Sequence, residues 1–517
     1  MLFFSNNLGF ILIKTSRSHV IATGLIFLAL VYLFVLQVWA IWPFTIDDMY
    51  ITLRYAQNWA NGYGLVWNIG QPPVEGYSNF SFVVLARIAL SLHIDPVVVL
   101  KAVGIIGLFS SCCAVYVLSR LWLSSCIALI PSFWLLAYKG QIIWSVSGLE
   151  TTVYQALICF AVFFLFRGWG YSFSDKNQVD ARPLSTLVAG LLLILAGMTR
   201  PEAPSLMILF TILLLFLRTS LSAHHNWKGV ALFCGTLFMG FLPYFFWHWN
   251  YYGRLFPNPV YCKGFTNILT FDLDKNYLRV VWPFALIALT AAWQSKDRRH
   301  YFLWLPSVLY LILLMSADTI VAFDNRLFLP VLALLLPLTV QGLAVLLKPY
   351  LSIQNDAFNI SMYLCAFLLA FFFIPTLNLK GYWLFAENPL AGEQLRQKVV
   401  RWLEKNTPAN SRVVLGDSGL IPYQSQRQFI DSYCLNNAEM TKFPPALMYK
   451  RMCENVLTTK PEVIILTALL VDGKAIYAPT DACLSKQLAS NSNYCFQASF
   501  GVGNSHSFYR YEIFTAC

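Results

Sequence analysis

The chain has 517 residues, of which 58% are hydrophobic and only 12% charged, with a mean hydropathy of +0.59, whereas soluble domains carry roughly 25% charged residues. That composition excludes an ordinary water-soluble enzyme and points to a polytopic protein in a lipid bilayer. The net charge of +11 does not indicate a nucleic-acid partner, because Lys and Arg gather in short loops between apolar runs, where they mark the cytoplasmic side of a membrane.

The first apolar run, His19–Trp42, follows Lys14 and Arg17. It resembles a signal sequence but lacks a small-residue cleavage site, so it reads as an uncleaved span with a cytoplasmic N-terminus. Further runs lie at Ala203–Leu217, Val230–Trp249, Leu327–Leu347 and Ile360–Pro375. The positive-inside rule places Arg167–Arg182, Arg218–Lys228, Lys296–Arg299 and Lys348 inside. Outside lie the 43–77 loop, Thr199–Glu202, Asn250–Leu278, Ser316–Arg326 and everything after about Leu377. Between Ser78 and Phe166 the apolar segments 78–93, 97–119, 121–138 and 148–166 must cross an odd number of times. One of them does not span, and 97–138 is expected to hold one full span and a short or re-entrant piece, for about eleven crossings in all.

Past Tyr382 charge and polarity return. "ENPLAGEQLRQKVVRWLEKN" has helical periodicity, and "SRVVLGDSG" and "KPEVIILTALLV" read as buried strands. The expected fold class is therefore mainly α: a membrane helix bundle over residues 1–377, followed by a soluble α/β domain over 378–517 on the outer, periplasmic face. Cys112, Cys113, Cys126, Cys159, Cys234 and Cys365 lie in apolar segments, where Cys acts as a small hydrophobe. Cys262, Cys434, Cys453, Cys483, Cys495 and Cys517 form an even set on the outer side, so disulfides are expected with their pairing open. Zinc-type CxxC spacing is absent from the sequence.

Two outer stretches concentrate the chemistry. In "FTIDDMYITLRYAQNW" the adjacent carboxylates Asp47 and Asp48 come directly after the first span. Tyr50, Leu53, Tyr55, Trp59, Tyr63 and Trp67 follow, a density of amphipathic aromatics suited to a helix in the headgroup layer. Such a helix holds the acid pair at the lipid–water boundary; the plainer alternative is a pair of solvated loop residues. In "PPVEGYSNFSF", Glu75, Tyr77, Ser78 and Asn79 either cap the next helix or line a cavity for a polar ligand.

"DDMYITLRYAQNWANGYGLVWN" followed by "PPVEGYSNF" resembles the outer-loop signature of GT-C type glycosyltransferases, in the group that includes mycobacterial terminal arabinofuranosyltransferases and the LphB proteins linked to lipopolysaccharide assembly. "SGLE" (Ser147–Glu150), "TRPE" (Thr199–Glu202), "GRLFPNPVYCKG" (Gly253–Gly264), "NRLFLP" (Asn325–Pro330) and "GDSGLIPYQS" (Gly416–Ser425) fall in the same order, so the resemblance covers most of the chain. It implies a helix bundle with a catalytic first outer loop and a polyprenyl-phosphate sugar as donor. The acceptor is then a cell-envelope glycan or glycolipid at the outer face of a bacterial inner membrane.

By the same resemblance Asp47 or Asp48 is the general base for the acceptor hydroxyl, taken by analogy as Asp47 with Asp48 its partner as sugar or metal ligand. The departing phosphate needs cations, and Arg54, Arg200, Lys263 and Arg326 are the candidates. Asn325 replaces the glycine of the family's G-R-F-F-x-P pattern, and Cys262 replaces the alanine before the lysine of F-P-N-x-x-x-A-K. Arg200 has Glu202 as an equally good partner, and Arg54 sits one turn beyond the acid pair, whose charge it offsets. Glu75, Tyr77, Asn79, Glu150, Glu202, Asp417 and Tyr423 are the substrate-binding candidates; the turn carrying Asp417 and Tyr423 is either an acceptor lid or a plain β-turn. No cofactor is firmly implied, although Asp47, Asp48 and Glu150 offer hard oxygens to an optional divalent cation. The rival readings are a transporter or flippase of lipid-linked sugars and a non-catalytic assembly partner.

Overall fold

A helix without a charged residue lies at the centre. Leu329–Leu347 is buried on every face over residues 329–344, as expected of a helix without a polar stripe. In the computed structural model, which describes residues 17–173, 182–221, 227–263, 269–295, 297–319, 322–351, 356–503 and 507–517, the other long helices surround it. Lys14, Lys296, Gly264 and much of the 167–182 and 218–228 loops lie outside the described residues.

Among the described residues six helices are long and apolar enough to cross a membrane, and a seventh span results if Ile127–Ala137 and Lys139–Val146, bent by 67°, are joined. Between these helices in the chain lie the shorter Pro183–Thr199 and Ala203–Leu221, and the helices Asp272–Gln294 and Tyr301–Leu314 lead up to Leu329–Leu347.

The helix that does not traverse is Phe80–Ser91, where the sequence reading put the interruption within 97–138. It begins beside Asn79, which is bonded to Glu150, and leads into Pro96–Ser119. Near the start of that next helix, Lys101 donates to the carbonyls of Trp42 and Phe44, so both ends of Phe80–Ser91 lie at the same end of the bundle. At 12 residues it is also too short for a bilayer crossing, which needs about 20.

A second correction concerns the first loop. Asp48–Ala60 is indeed helical, yet Tyr50, Leu53, Tyr55 and Trp67 are buried within protein. The Phe80–Ser91 helix and the C-terminal domain cover them, in place of lipid headgroups. Tyr63 alone of the six stays well exposed and Trp59 is half-buried.

Helix Leu379–Asn406 leads from the bundle into the C-terminal domain. The domain's sheet comprises β1 (Arg412–Leu415), β2 (Gln428–Asp431), β3 (Val463–Val471), β4 (Lys474–Tyr477), β5 (Tyr494–Gly503) and β6 (Ser507–Ala516). The order is β2-β1-β3-β6-β5, with β4 pairing the far end of β3. β1 runs parallel to β2 and β3, and the remaining pairs are antiparallel. Central strand β3 is apolar over "VIIL", as a strand covered on both faces requires.

The six cysteines Cys262, Cys434, Cys453, Cys483, Cys495 and Cys517 pair as Cys262–Cys434, Cys453–Cys483 and Cys495–Cys517. The first bridges 172 residues of sequence and ties a loop of the bundle to the C-terminal domain, restricting the unfolded chain most strongly of the three.

Close helix contact sets one clear test. A Cβ at Gly342 would run into the carbonyl of Ile287 on the neighbouring helix, whereas a Cβ at Gly235 meets nothing within 4 Å. Gly342→Ala is expected to cost about 1–3 kcal/mol and to lower the thermal midpoint in detergent, while Gly235→Ala leaves it unchanged or slightly raised through helix propensity.

Candidate active site

Glu150 ends the turn before Thr151–Gly168 and is 1% exposed. Its Oε1 accepts from Arg200 Nη1 at 2.7 Å and Arg326 Nη2 at 3.1 Å, and its Oε2 accepts from Asn79 Nδ2 at 2.9 Å. Arg200 also holds Glu202 through Nε at 3.0 Å. Arg200 thus pairs with Glu202, and it also borders the cavity described next. Arg326 bonds Thr151 Oγ1 and lies over the Trp144 ring at 4.7 Å. The preceding Asn325 has φ 58° and ψ 30°, left-handed backbone that glycine and asparagine share. Its replacement of glycine therefore keeps the turn, and its Nδ2 donates to Tyr138.

A cavity of about 460 Å³ opens beside this cluster, lined by Asp48, Thr52, Tyr77, Asn79, Glu150, Arg200, Glu202, Lys263 and Arg326, with Ile208, Leu313 and Leu314 on an apolar flank. A second cavity, of about 600 Å³, lies between bundle and C-terminal domain. Its lining includes Asp47, Asp48, Tyr50, Glu393, Arg396, Asp417, Tyr433 and Tyr509. Asp48, Ile51, Lys263 and Leu435 border both.

The two adjacent acids are thus separated in role by one peptide unit. Asp48 lies at the junction of the cavities, and none of the described residues donates a hydrogen bond to its carboxylate. Asp47 turns the other way. Its Oδ1 accepts from the Leu420 amide at 3.0 Å and lies 3.1 Å from Arg396 Nε, and Arg396 also holds Asp417 at 2.9 Å. Gly419 permits this approach, because a Cβ there would occupy the space of the Asp47 carboxylate. Burial pushes the Asp47 carboxyl well above the usual range against the pull of Arg396. Asp417 is equally buried, but Arg396 and the hydrogen bonds from Asp47 and Tyr511 hold it below that range.

Other expectations are corrected by position. Arg54 faces neither cavity: it donates to the carbonyls of Trp67, Pro422 and Arg427 and to Asn68, stacked on Trp67 and Phe429. It is a strut between loop and domain. Glu75 is buried against His248, and Tyr423 packs on Tyr50 with ring centroids 5.7 Å apart; neither lines the two cavities. Tyr77 borders the first cavity while its hydroxyl pairs with Tyr252. Asp47, Asp48 and Glu150 do not converge on a cation, since Arg396 engages the first and two arginines the third. Among the described residues no cluster of three His, Cys, Asp or Glu side chains is arranged for a metal. The sequence reading missed Arg396, although it interrupts the buried stripe of Leu395, Val399, Val400 and Leu403, and a charge on an apolar stripe signals a buried partner. Glu393 and Asp318 were also missed, and nothing local distinguishes them.

Solved structures share this architecture. ArnT from Cupriavidus metallidurans bound to undecaprenyl phosphate matches with a TM-score of 0.58 at 12% identity, over 95% of this chain and 98% of that one. The oligosaccharyltransferase AglB from Archaeoglobus fulgidus, in complex with an inhibitory peptide and a dolichol-phosphate, matches at 0.53 and 12% identity over 87% and 74%. Mycobacterial arabinofuranosyltransferase AftD matches at 0.50 and 11% identity over 97% of this chain and 42% of that one. The fold is that of the GT-C glycosyltransferases. A profile described as a domain of unknown function (DUF8728) matches residues 385–514, and no curated protein matches the sequence.

Behind the second cavity, Asp481 is buried, accepting from the Thr467 amide and Ser432, and burial raises its pKa from 3.8 to about 7. The folded state therefore binds a proton that the unfolded state releases between those values, and stability falls as pH rises through that window. Asp481→Asn is expected to flatten the decline of thermal midpoint from about pH 4 to 7, measured against wild type in the same detergent.

Proposed function

We propose that this chain transfers a sugar, with inversion, from a polyprenyl-phosphate donor to a cell-envelope glycan or glycolipid, at the outer face of a bacterial inner membrane. The position of Asp48 carries the reading. A base must touch the acceptor hydroxyl and stand next to the anomeric carbon at once, and Asp48 borders both cavities with a carboxylate to which no described residue donates a hydrogen bond. Asp48 therefore replaces Asp47 as the proposed base, and Asp47 becomes a docking residue for the C-terminal domain.

The polyprenyl phosphate occupies the 460 Å³ cavity, its chain along the apolar flank and its phosphate toward Lys263 and Arg326. The acceptor sugar occupies the 600 Å³ cavity, where tyrosines and carboxylates suit a polyol. The acceptor hydroxyl gives its proton to Asp48 while its oxygen bonds to the anomeric carbon. The bond from that carbon to the phosphate oxygen breaks, and the polyprenyl phosphate leaves with the electron pair, stabilised by the cations. Arg200, tied to Glu150 and Glu202, sets the cluster's shape. The likeness to a protein bound to undecaprenyl phosphate supports the donor class, and three disulfides suit an oxidising compartment.

Labelled polyprenyl-phosphate sugars, supplied as a panel to membranes carrying the native acceptor, test the assignment. Asp48→Asn should lower transfer roughly 10²- to 10⁴-fold at normal expression. Asp47→Asn should retain most of the turnover but lower thermal stability. Equal activity of wild type and Asp48→Asn would remove the base from Asp48.

A further inference from the structure

Lys263 stands out among the cations of the first cavity. Arg200 and Arg326 are engaged by Glu150, whereas no described carboxylate lies within ion-pair distance of Lys263, whose ammonium is 5.6 Å from the Tyr433 ring centroid. Lys263 and Leu435 border both cavities, as Asp48 does, and Tyr433 borders the second. Lys263 follows the half-cystine Cys262, and Tyr433 and Leu435 flank its partner Cys434.

We infer that the Cys262–Cys434 disulfide is a positioning element for Lys263, holding the ammonium at the donor phosphate; this rests on the donor site proposed above. Lys263 ends the short helix Asn258–Lys263 and borders its last turn's only covalent tie to the C-terminal domain. At the start of that helix Asn258 Nδ2 donates to the carbonyls of Cys434 and Leu435 at 2.7 and 3.1 Å, and Arg254 reaches Thr441 and the Ala438 carbonyl. Those bonds keep the domain docked without the disulfide. The helix end depends on it more directly, through the cross-link and the 2.9 Å bond from the Asp318 amide to the Lys263 carbonyl. Cys434 itself has φ 101°, backbone that a non-glycine residue keeps only when its surroundings enforce it. Asp431 supplies part of that enforcement by accepting from the amides of Tyr433, Cys434 and Asn436, and the sulfur bridge supplies the rest. Cys262 thus turns an alanine position of the resembling motif into a brace for the lysine beside it.

Reduction takes two electrons and two protons from a dithiol, which closes to its own disulfide, and leaves Cys262 and Cys434 as thiols. The expected consequence is local: lost discrimination for the phosphate, with the fold intact.

The test is native mass spectrometry of the full chain in detergent with equimolar undecaprenyl phosphate and undecaprenol. The phosphate-to-alcohol ratio reads the headgroup contact and is insensitive to general loss of stability. Wild type should prefer the phosphate, and Lys263→Ala should lower the ratio roughly tenfold, the scale of one charged hydrogen bond. The Cys262→Ser/Cys434→Ser variant and wild type reduced in place with dithiothreitol should fall to the same extent. Cys453→Ser/Cys483→Ser should keep the wild-type ratio, and dithiothreitol should not lower the Cys262→Ser/Cys434→Ser ratio further. Should the serine variant misfold, folded wild type reduced in place decides: an unchanged ratio there, or in folded Cys262→Ser/Cys434→Ser, overturns the disulfide's role. An unchanged ratio in Lys263→Ala overturns the lysine's. Absence of any preference in wild type overturns the donor site itself.

Discussion

Glu150 is almost wholly out of water, where an unpaired carboxylate costs several kcal/mol. Arg200, Arg326 and Asn79 remove that cost by surrounding it with charge and hydrogen bonds. They come from three separated places in the chain: the Thr199–Glu202 corner, the start of the central helix and the end of the first loop. Because none of these can leave without stranding a buried charge, the bundle is held closed at the end that carries the cavities. The first cavity takes its polar wall from this arrangement, and Asp48 and Lys263 stand at its edge.

The C-terminal domain completes the site by a second set of buried charges. Arg396 sits between Asp47 and Asp417, and Arg54 fastens the loop helix to carbonyls of residues 422 and 427. The Cys262–Cys434 bridge adds a covalent tie nearby. The tandem acids after the first span are thereby divided: one is consumed in docking the domain, and the other is left at the meeting of the two cavities. Adjacent residues at a helix start point in different directions, so a single pair serves both purposes.

Much of this was legible in the chain before folding. Apolar runs of bilayer length, the return of polarity after Tyr382 and the even set of cysteines outside the apolar runs all report on one-dimensional quantities, and the fold agrees with them. The motifs at Ser147–Glu150, Thr199–Glu202 and Asn325–Pro330 marked residues that do meet in space. Phe80–Ser91 was misread because an apolar helix lying against protein has the composition of a short span. The aromatics after Tyr50 were misread for the same reason, since burial in protein and placement at a lipid interface favour the same side chains. Arg54 showed only its charge; its carbonyl partners lie more than 360 residues away in sequence.

By itself the sequence determined a membrane bundle with a polar terminal domain, because hydropathy and periodicity are summed locally and need no partners. It also confined the candidate chemistry to a few stretches between apolar runs, because polar residues next to such runs are few. Which residues face a cavity was decided only by tertiary structure. A carboxylate's environment depends on the cations and amides brought to it from distant segments, and those separate Asp47, held by Arg396, from Asp48, to which none of the described residues donates a hydrogen bond.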